Sequence, residues 1–271
     1  MRLTERDRRI LEAIHAYDGM LSAGQIKRLF FTGDSQMQLR LRLLYRHGYL
    51  ARPDRRQRAS LDEPVFWLAP KGAEFVAGLS GTPAADFTFR REPRWMQVAH
   101  DVAVNEVRIT LSEACKREPG FELEAWIPQS EFWAHPDRVD YTLPNGTQAR
   151  RFIRPDGYAI VRKGAYVCRL LLELDRATEH NPRFAAEKIL PGIAYVRSEI
   201  YKRRFGYNSG KWLIVTTGER RLQNMKRSAE LVAEANARLF YFTTLDRVTP
   251  GSLLTQPVWQ RGGADVPVAL F

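Results

Sequence analysis

Three carboxylates fall within twenty residues of one another in this 271-residue chain: Asp156, which follows Pro155, and Glu173 and Asp175, which close the run Arg169-Leu170-Leu171-Leu172-Glu173-Leu174-Asp175. The i, i+2 spacing puts Glu173 and Asp175 on one face of a strand. A hairpin of two strands, Phe152 to Val161 and Tyr166 to Leu174, would bring Asp156 to the same end. Acids at the end of an apolar strand are costly unless they are paired or ligating. Gathered carboxylates also raise one another's pKa unless a cation sits among them. The trio therefore reads as a site for Mg²⁺ or Mn²⁺, an ion that can activate water and stabilise charge on a phosphodiester cleaved in line. The same residues also read as a salt-bridged strand end, with Arg154, Arg176 or Lys188 as partner. Glu106 is either a further ligand or a salt-bridged helix residue.

A second constellation has the chemistry of base and phosphate recognition. Ser35, Gln36, Gln38 and Arg40 open a short amphipathic segment; glutamine can pair with adenine, and arginine with guanine. Arg42, Arg46 and the loop arginines Arg55, Arg56 and Arg58 are suited to holding phosphates. If about five cationic side chains neutralise phosphates, log K falls with log salt at a slope of about −4 to −5. The alternative is a solvated basic face.

The elements that must position these groups follow from caps and periodicity. Thr4 caps a helix carrying Ile10, Leu11 and Ile14, ended by Gly19; Ser22 caps a second with Ile26, Leu29 and Phe30. Thr32-Gly33-Asp34 leads to a third, in which Met37, Leu41 and Leu44 repeat and which stops at Gly48. Tyr49 to Arg52 and Val65 to Leu68 pair around the loop Pro53 to Pro64, and Lys71 to Leu79 closes the segment. This is the order of a winged helix-turn-helix, whose second recognition helix enters the major groove. Residues 1–80 are thus expected as a DNA-binding domain, 81–94 as a linker, 95–250 as a second α/β (α+β) domain and 251–271 as a C-terminal tail. In the second domain a long helix, Met96 to Arg117, precedes strands Phe121 to Ile127, Ser130 to Trp133 and the hairpin above, with Arg138 to Arg151 as an insertion. Asn181 and Pro182 start a helix to about Arg204, followed by strand Trp212 to Thr216, helix Glu219 to Ala237 and strand Leu239 to Thr244. Lys202, Arg203 and Arg204 form either a further backbone-tracking patch or a solvated face.

Composition narrows the partner. A net charge of +11 and a pI near 9.9 favour a polyanion, nucleic acid before acidic lipid. No run reaches the ~18 apolar residues of a membrane span, and no apolar stretch follows the charged start Met1 to Ile10, so neither a membrane nor a secretory leader is expected and the cytoplasm is. Cys115 and Cys168 lack metal or redox spacing and read as reduced, partly buried thiols. His100 reads as structural or as facing a cleft.

Arg154-Pro155-Asp156-Gly157 and Leu172-Glu173-Leu174-Asp175-Arg176-Ala177-Thr178-Glu179, preceded by the winged helix and by His100-Asp101-Val102-Ala103-Val104-Asn105, resemble the replication-relaxation family of plasmid and mobile-element proteins, over nearly the whole chain to about residue 245. The resemblance implies plasmid replication and DNA relaxation, double-stranded DNA and replication or relaxase machinery as partners, and a second domain like the PD-(D/E)-x-K nucleases, with an α-β-β-β-α-β core. It assigns Asp156 to the PD element and Glu173 to the second acidic position. Asp175 stands where that superfamily places its lysine, and Lys188 on the next helix is the candidate for a migrated one. Two readings follow: a nicking nuclease using Asp156, Glu173, Asp175 and Lys188, or a non-catalytic regulator whose nuclease-like domain serves as a homodimer or docking surface.

Overall fold

The computed structural model describes residues 1–58, 61–83, 85–176 and 184–271, in a mixed α/β fold of two compact units, Met1–Glu106 and Val107–Phe271. In the first unit, α1 (Glu5–Ala16) starts at a Thr4/Asp7 capping box and α2 (Ala23–Phe30) at a Ser22/Gln25 box. Helix α3 (Asp34–Arg46) buries Met37, Leu41 and Leu44 and gives way at Gly48, whose φ of 75° suits glycine. Strands β2 (Leu50–Ala51) and β3 (Val65–Leu68) pair antiparallel as expected, and α5 (Pro70–Ser80) follows.

A strand absent from the expected elements, β1 (Met20–Ser22), pairs with β3 and makes the sheet three-stranded, in the order β1-β3-β2. The β2–β3 connection, Pro53 to Pro64, is expected as a polar loop. That loop contains the helical turn α4 (Arg55–Arg58), capped reciprocally by Asp54 and Gln57 across two 2.8 Å hydrogen bonds. The segment expected as a linker packs on its own unit: the Trp67 indole donates to Arg91 O at 2.9 Å, and the rings of Phe87 and His15 lie 4.6 Å apart.

Helix α6 (Val98–Arg117) begins in the first unit and ends in the second. The second unit is built on a six-stranded sheet whose strands run, edge to edge, Gln260–Arg261 (β11), Phe240–Thr244 (β10), Lys211–Thr216 (β9), Tyr166–Asp175 (β8), Gly157–Lys163 (β7) and Phe121–Pro128 (β4). Strands β4 (Phe121–Pro128), β7 (Gly157–Lys163) and β8 (Tyr166–Asp175) form an antiparallel meander. Strands β9 (Lys211–Thr216) and β10 (Phe240–Thr244) then continue parallel to β8. The parallel steps need crossovers. The first contains α8 (Leu190–Val196) and α9 (Glu199–Phe205), and the second α10 (Glu219–Ala233). The core buries Tyr158, Leu171, Tyr195, Tyr201, Trp212, Ile214 and Phe240.

Several expected elements are corrected. Ser130–Trp133 lies in a helix, α7 (Gln129–Ala134), because Pro128 ends β4 and serves as its N-cap. The run Phe152–Val161 is two strands: Phe152 belongs to the hairpin β5 (Asp137–Thr142)/β6 (Gln148–Ile153), and Pro155 separates it from β7. The helix to Arg204 breaks at Ser198, which caps α9, and its expected Asn181-Pro182 start lies outside the described residues. Helix α10 stops at Ala233, and a 3₁₀ segment, Glu234–Leu239, leads into β10.

Residues 251–271 are folded onto the second unit. They supply β11 (Gln260–Arg261) to the sheet edge and bury Trp259, whose indole donates to Leu253 O at 2.9 Å. Phe240–Phe242 is therefore an inner strand. Cys115 and Cys168 are buried and unbridged; burial pushes the Cys115 thiol up to about 11, which leaves it inert as a nucleophile. Among the described residues no helix is long and apolar enough to cross a membrane.

Candidate functional site

The carboxylates sit where β7 and β8 diverge. Asp156 is buried just before β7: its N–H donates to Leu172 O at 2.8 Å, and its side chain accepts from Leu174 N–H and the Gln129 amide, both at 2.7 Å. The residue thus extends the β7–β8 ladder with its own carboxylate. Gly157 follows because the Trp126 ring crosses at this point, where a Cβ would collide with it.

Glu173 and Asp175 follow in β8 with the expected same-face spacing, and each has a cation of its own. Lys188 Nζ lies 2.5 Å from Glu173 Oε1. Arg221 on α10 grips both oxygens of Asp175, to which Thr216 also donates at 2.9 Å. Lys188 reaches β8 from a π-helical turn, Ala185–Ile189, whose wider winding changes the direction its side chains take.

Mg²⁺ takes near-octahedral oxygen ligands at about 2.1 Å, whereas these carboxylates hold an ammonium, a guanidinium, and amide donors. Among the described residues no three His, Cys, Asp or Glu side chains stand where they could hold a metal ion. As arranged, the residues do not fit a divalent cation. Of the three partners named from sequence, Lys188 is used; Arg154 instead lies over the Trp133 ring at 4.2 Å. Arg221, from a helix 46 positions further on, was missed.

Within the motif His100–Asn105, Asp101 and Asn105 bond inside the first unit. Asp101 is buried and accepts from Arg90 at 2.6 Å, with His100 Nδ1 at 3.5 Å. Burial alone would push its carboxyl up, but the neighbouring His100 and Arg90 outweigh this and hold it below the usual value. The Asn105 amide ties down the turn after α1 through Tyr17 O and Met20 O, at 3.2 and 2.9 Å. Glu106 pairs with Arg28, as a salt-bridged helix residue.

In the first unit, an α-helix advances about 100° per residue. Ser35, Leu39, Arg42 and Arg46 therefore fall opposite the buried Met37, Leu41 and Leu44 and are exposed, with Gln36 and Gln38 exposed on the two flanks. Arg40 is corrected: it turns inward and binds Asp7 through Nε at 3.0 Å and a second nitrogen, so its donors are committed within the fold. Arg55 and Arg56 on α4 are exposed, and the side chain of Arg58 lies outside the described residues.

Arg52 belongs with this face but was read only as a strand residue. It is exposed, its guanidinium 4.2 Å above the Tyr45 ring at the far end of α3. Its signal, an aromatic seven residues upstream, becomes visible only once the α3–β2 turn at Gly48 is known. At the N-terminus of α3, Lys27 pairs with Asp34 at 2.8 Å and offsets the one acid there. The Lys202–Arg204 patch is partly committed: Arg204 donates to His135 O and to Asp137, at 2.7 and 3.1 Å.

A family model described as replication-relaxation matches residues 11–210. No curated protein and no solved structure is significantly similar to the chain.

Proposed function

The chain belongs to the replication-relaxation family, and from that premise we propose that it is a double-stranded-DNA-binding protein of plasmid or mobile-element replication or relaxation. The first unit is read as a winged helix with α3 as its recognition helix. One observation carries this: the exposed strip of α3 and its flanks combine hydroxyl, guanidinium and amide groups, and the exposed arginines Arg52, just after β2, and Arg55 and Arg56 of α4 follow it in the chain.

On this reading Gln36 and Gln38 face base edges, and Leu39, 54% exposed and otherwise a costly surface residue, meets a thymine methyl group. Arg42, Arg46, Arg52, Arg55 and Arg56 take phosphates. The second unit acts as a non-catalytic scaffold, its carboxylates satisfied by Lys188, Arg221 and Gln129. A second reading, Mg²⁺- or Mn²⁺-dependent nicking, rests on Lys188 lying against Glu173, two residues before Asp175 and next to the Leu174 N–H that Asp156 accepts.

Supercoiled plasmid separates the two. The full chain should retard plasmid in a gel at low salt, equally with Mg²⁺ or with EDTA, and leave it supercoiled after the protein is removed. Open circles that need Mg²⁺ and vanish with Glu173→Gln would establish the second reading, and no retardation at low salt would remove both.

A further inference from the structure

At the N-terminal ends of β8 and β9, away from the carboxylates at the far end of β8, a pocket of about 250 Å³ opens among Arg169, Val196, Arg197, Ser209, Asn236 and Arg238. None of its lining residues is acidic. Arg169 is only 8% exposed, its Nε is buried without a hydrogen-bond partner among the described residues, and no carboxylate pairs with it there. A buried guanidinium without a counter-charge is expensive, and among the described residues the Tyr207 ring, 3.3 Å from it, offsets part of that cost. Arg197, bonded to Asn236, and Arg238 are exposed at the rim. Lys211 also lines the pocket, but its ammonium donates to Leu270 O at 2.7 Å. The carbonyl end of α8 at Val196 contributes about half a negative charge, which three guanidinium groups outweigh.

We propose that this pocket is an anion site for a phosphate group, with Arg169 as its buried anchor and Arg197 and Arg238 as its rim. Planar forked donors around a desolvated centre suit phosphate oxygens, which accept paired N–H bonds. The phosphate belongs either to a nucleic-acid backbone or to a small phosphate ester, and the chemistry of recognition is shared.

The test is calorimetric titration of the full chain with inorganic phosphate at constant ionic strength. Saturable binding is expected, weakened about tenfold or more by Arg238→Ala and by Arg169→Met, the loss of a charge-assisted contact. Arg238 is exposed, so its variant reports on the site without burden on the core. A short DNA duplex that displaces the phosphate assigns the site to the nucleic-acid backbone; a duplex that leaves the titration unchanged assigns it to a small ester. Arg42→Glu with Arg46→Glu should leave phosphate binding intact, so this site and the α3 reading can fail separately. No saturable binding, or equal binding by wild type and both variants, would overturn the proposal.

Discussion

Reversing Arg42 and Arg46 together to glutamate is expected to weaken binding of the full chain to duplex DNA by on the order of a hundredfold or more near physiological salt, and to reduce the salt slope by about two. Both side chains are exposed, one turn apart on the strip of α3 that faces away from Met37, Leu41 and Leu44. Each phosphate contact releases close to one counterion, and a reversed charge adds repulsion to the lost attraction. Surface changes of this kind normally alter stability by no more than about 0.5 kcal/mol. An unchanged melting temperature with lost binding, followed by fluorescence anisotropy across a salt series, therefore locates the contact. Unaltered affinity in a folded double variant would remove α3 from the interface.

The largest stability effect is expected at Asp7. Its side chain is fully buried, accepts from the Thr4 N–H and hydroxyl at 2.7 Å each, and takes both branches of Arg40. One carboxylate thus caps α1 and pins α3 to it. Asp7→Ala removes the cap contact and strands a guanidinium that is itself largely covered. Breaking a buried pair costs about 3–5 kcal/mol, and Arg40's partial access to water places this case at the lower end, about 3 kcal/mol. For a unit of this size that is a fall in melting temperature of roughly 15 °C. A loss under about 1 kcal/mol would mean that the pair is not formed in solution.

The same carboxylate sets an acid limit. Burial pushes the Asp7 carboxyl up, but Arg40 and Thr4 prevail and hold it below its ordinary 3.8, as His100 and Arg90 do for Asp101. A depressed carboxyl gives its full stabilisation above its unfolded value and loses it as pH falls through the folded one. The first unit should therefore hold its stability down to about pH 4 and lose it below, which circular dichroism against pH can follow. In Asp7→Asn that acid loss should be smaller.

Much of this was legible in the residues because local chemistry decides it. Thr4 and Ser22 cap helices through reciprocal bonds three residues long, and Gly48 turns the chain where φ is positive. The missed features are those that distance or brevity hides. Strand β1 has three residues, too few for a period, and Gln129–Ala134 has six, which fit a strand or a helix equally until Pro128 is seen as its cap.

The site was harder to read for a related reason. Sequence placed Asp156, Glu173 and Asp175 at one end of a hairpin, and Lys188 near them, but what a carboxylate does there depends on its partner. Arg221 lies 46 positions from Asp175, and Arg40 lies 33 from Asp7. Neither spacing carries a local signal. Arg40 looks like a base reader from its place in α3 until the buried acid on α1 accounts for it.

Photo-crosslinking from a reactive side chain introduced at Gln38, with the same probe at exposed Leu231 on α10 for comparison, interrogates the DNA interface most directly. With duplex bound, adducts to bases are expected from position 38 and none from position 231. A complex that forms at full affinity yet yields no adduct at position 38 would contradict the assignment of α3 as the element that reads DNA.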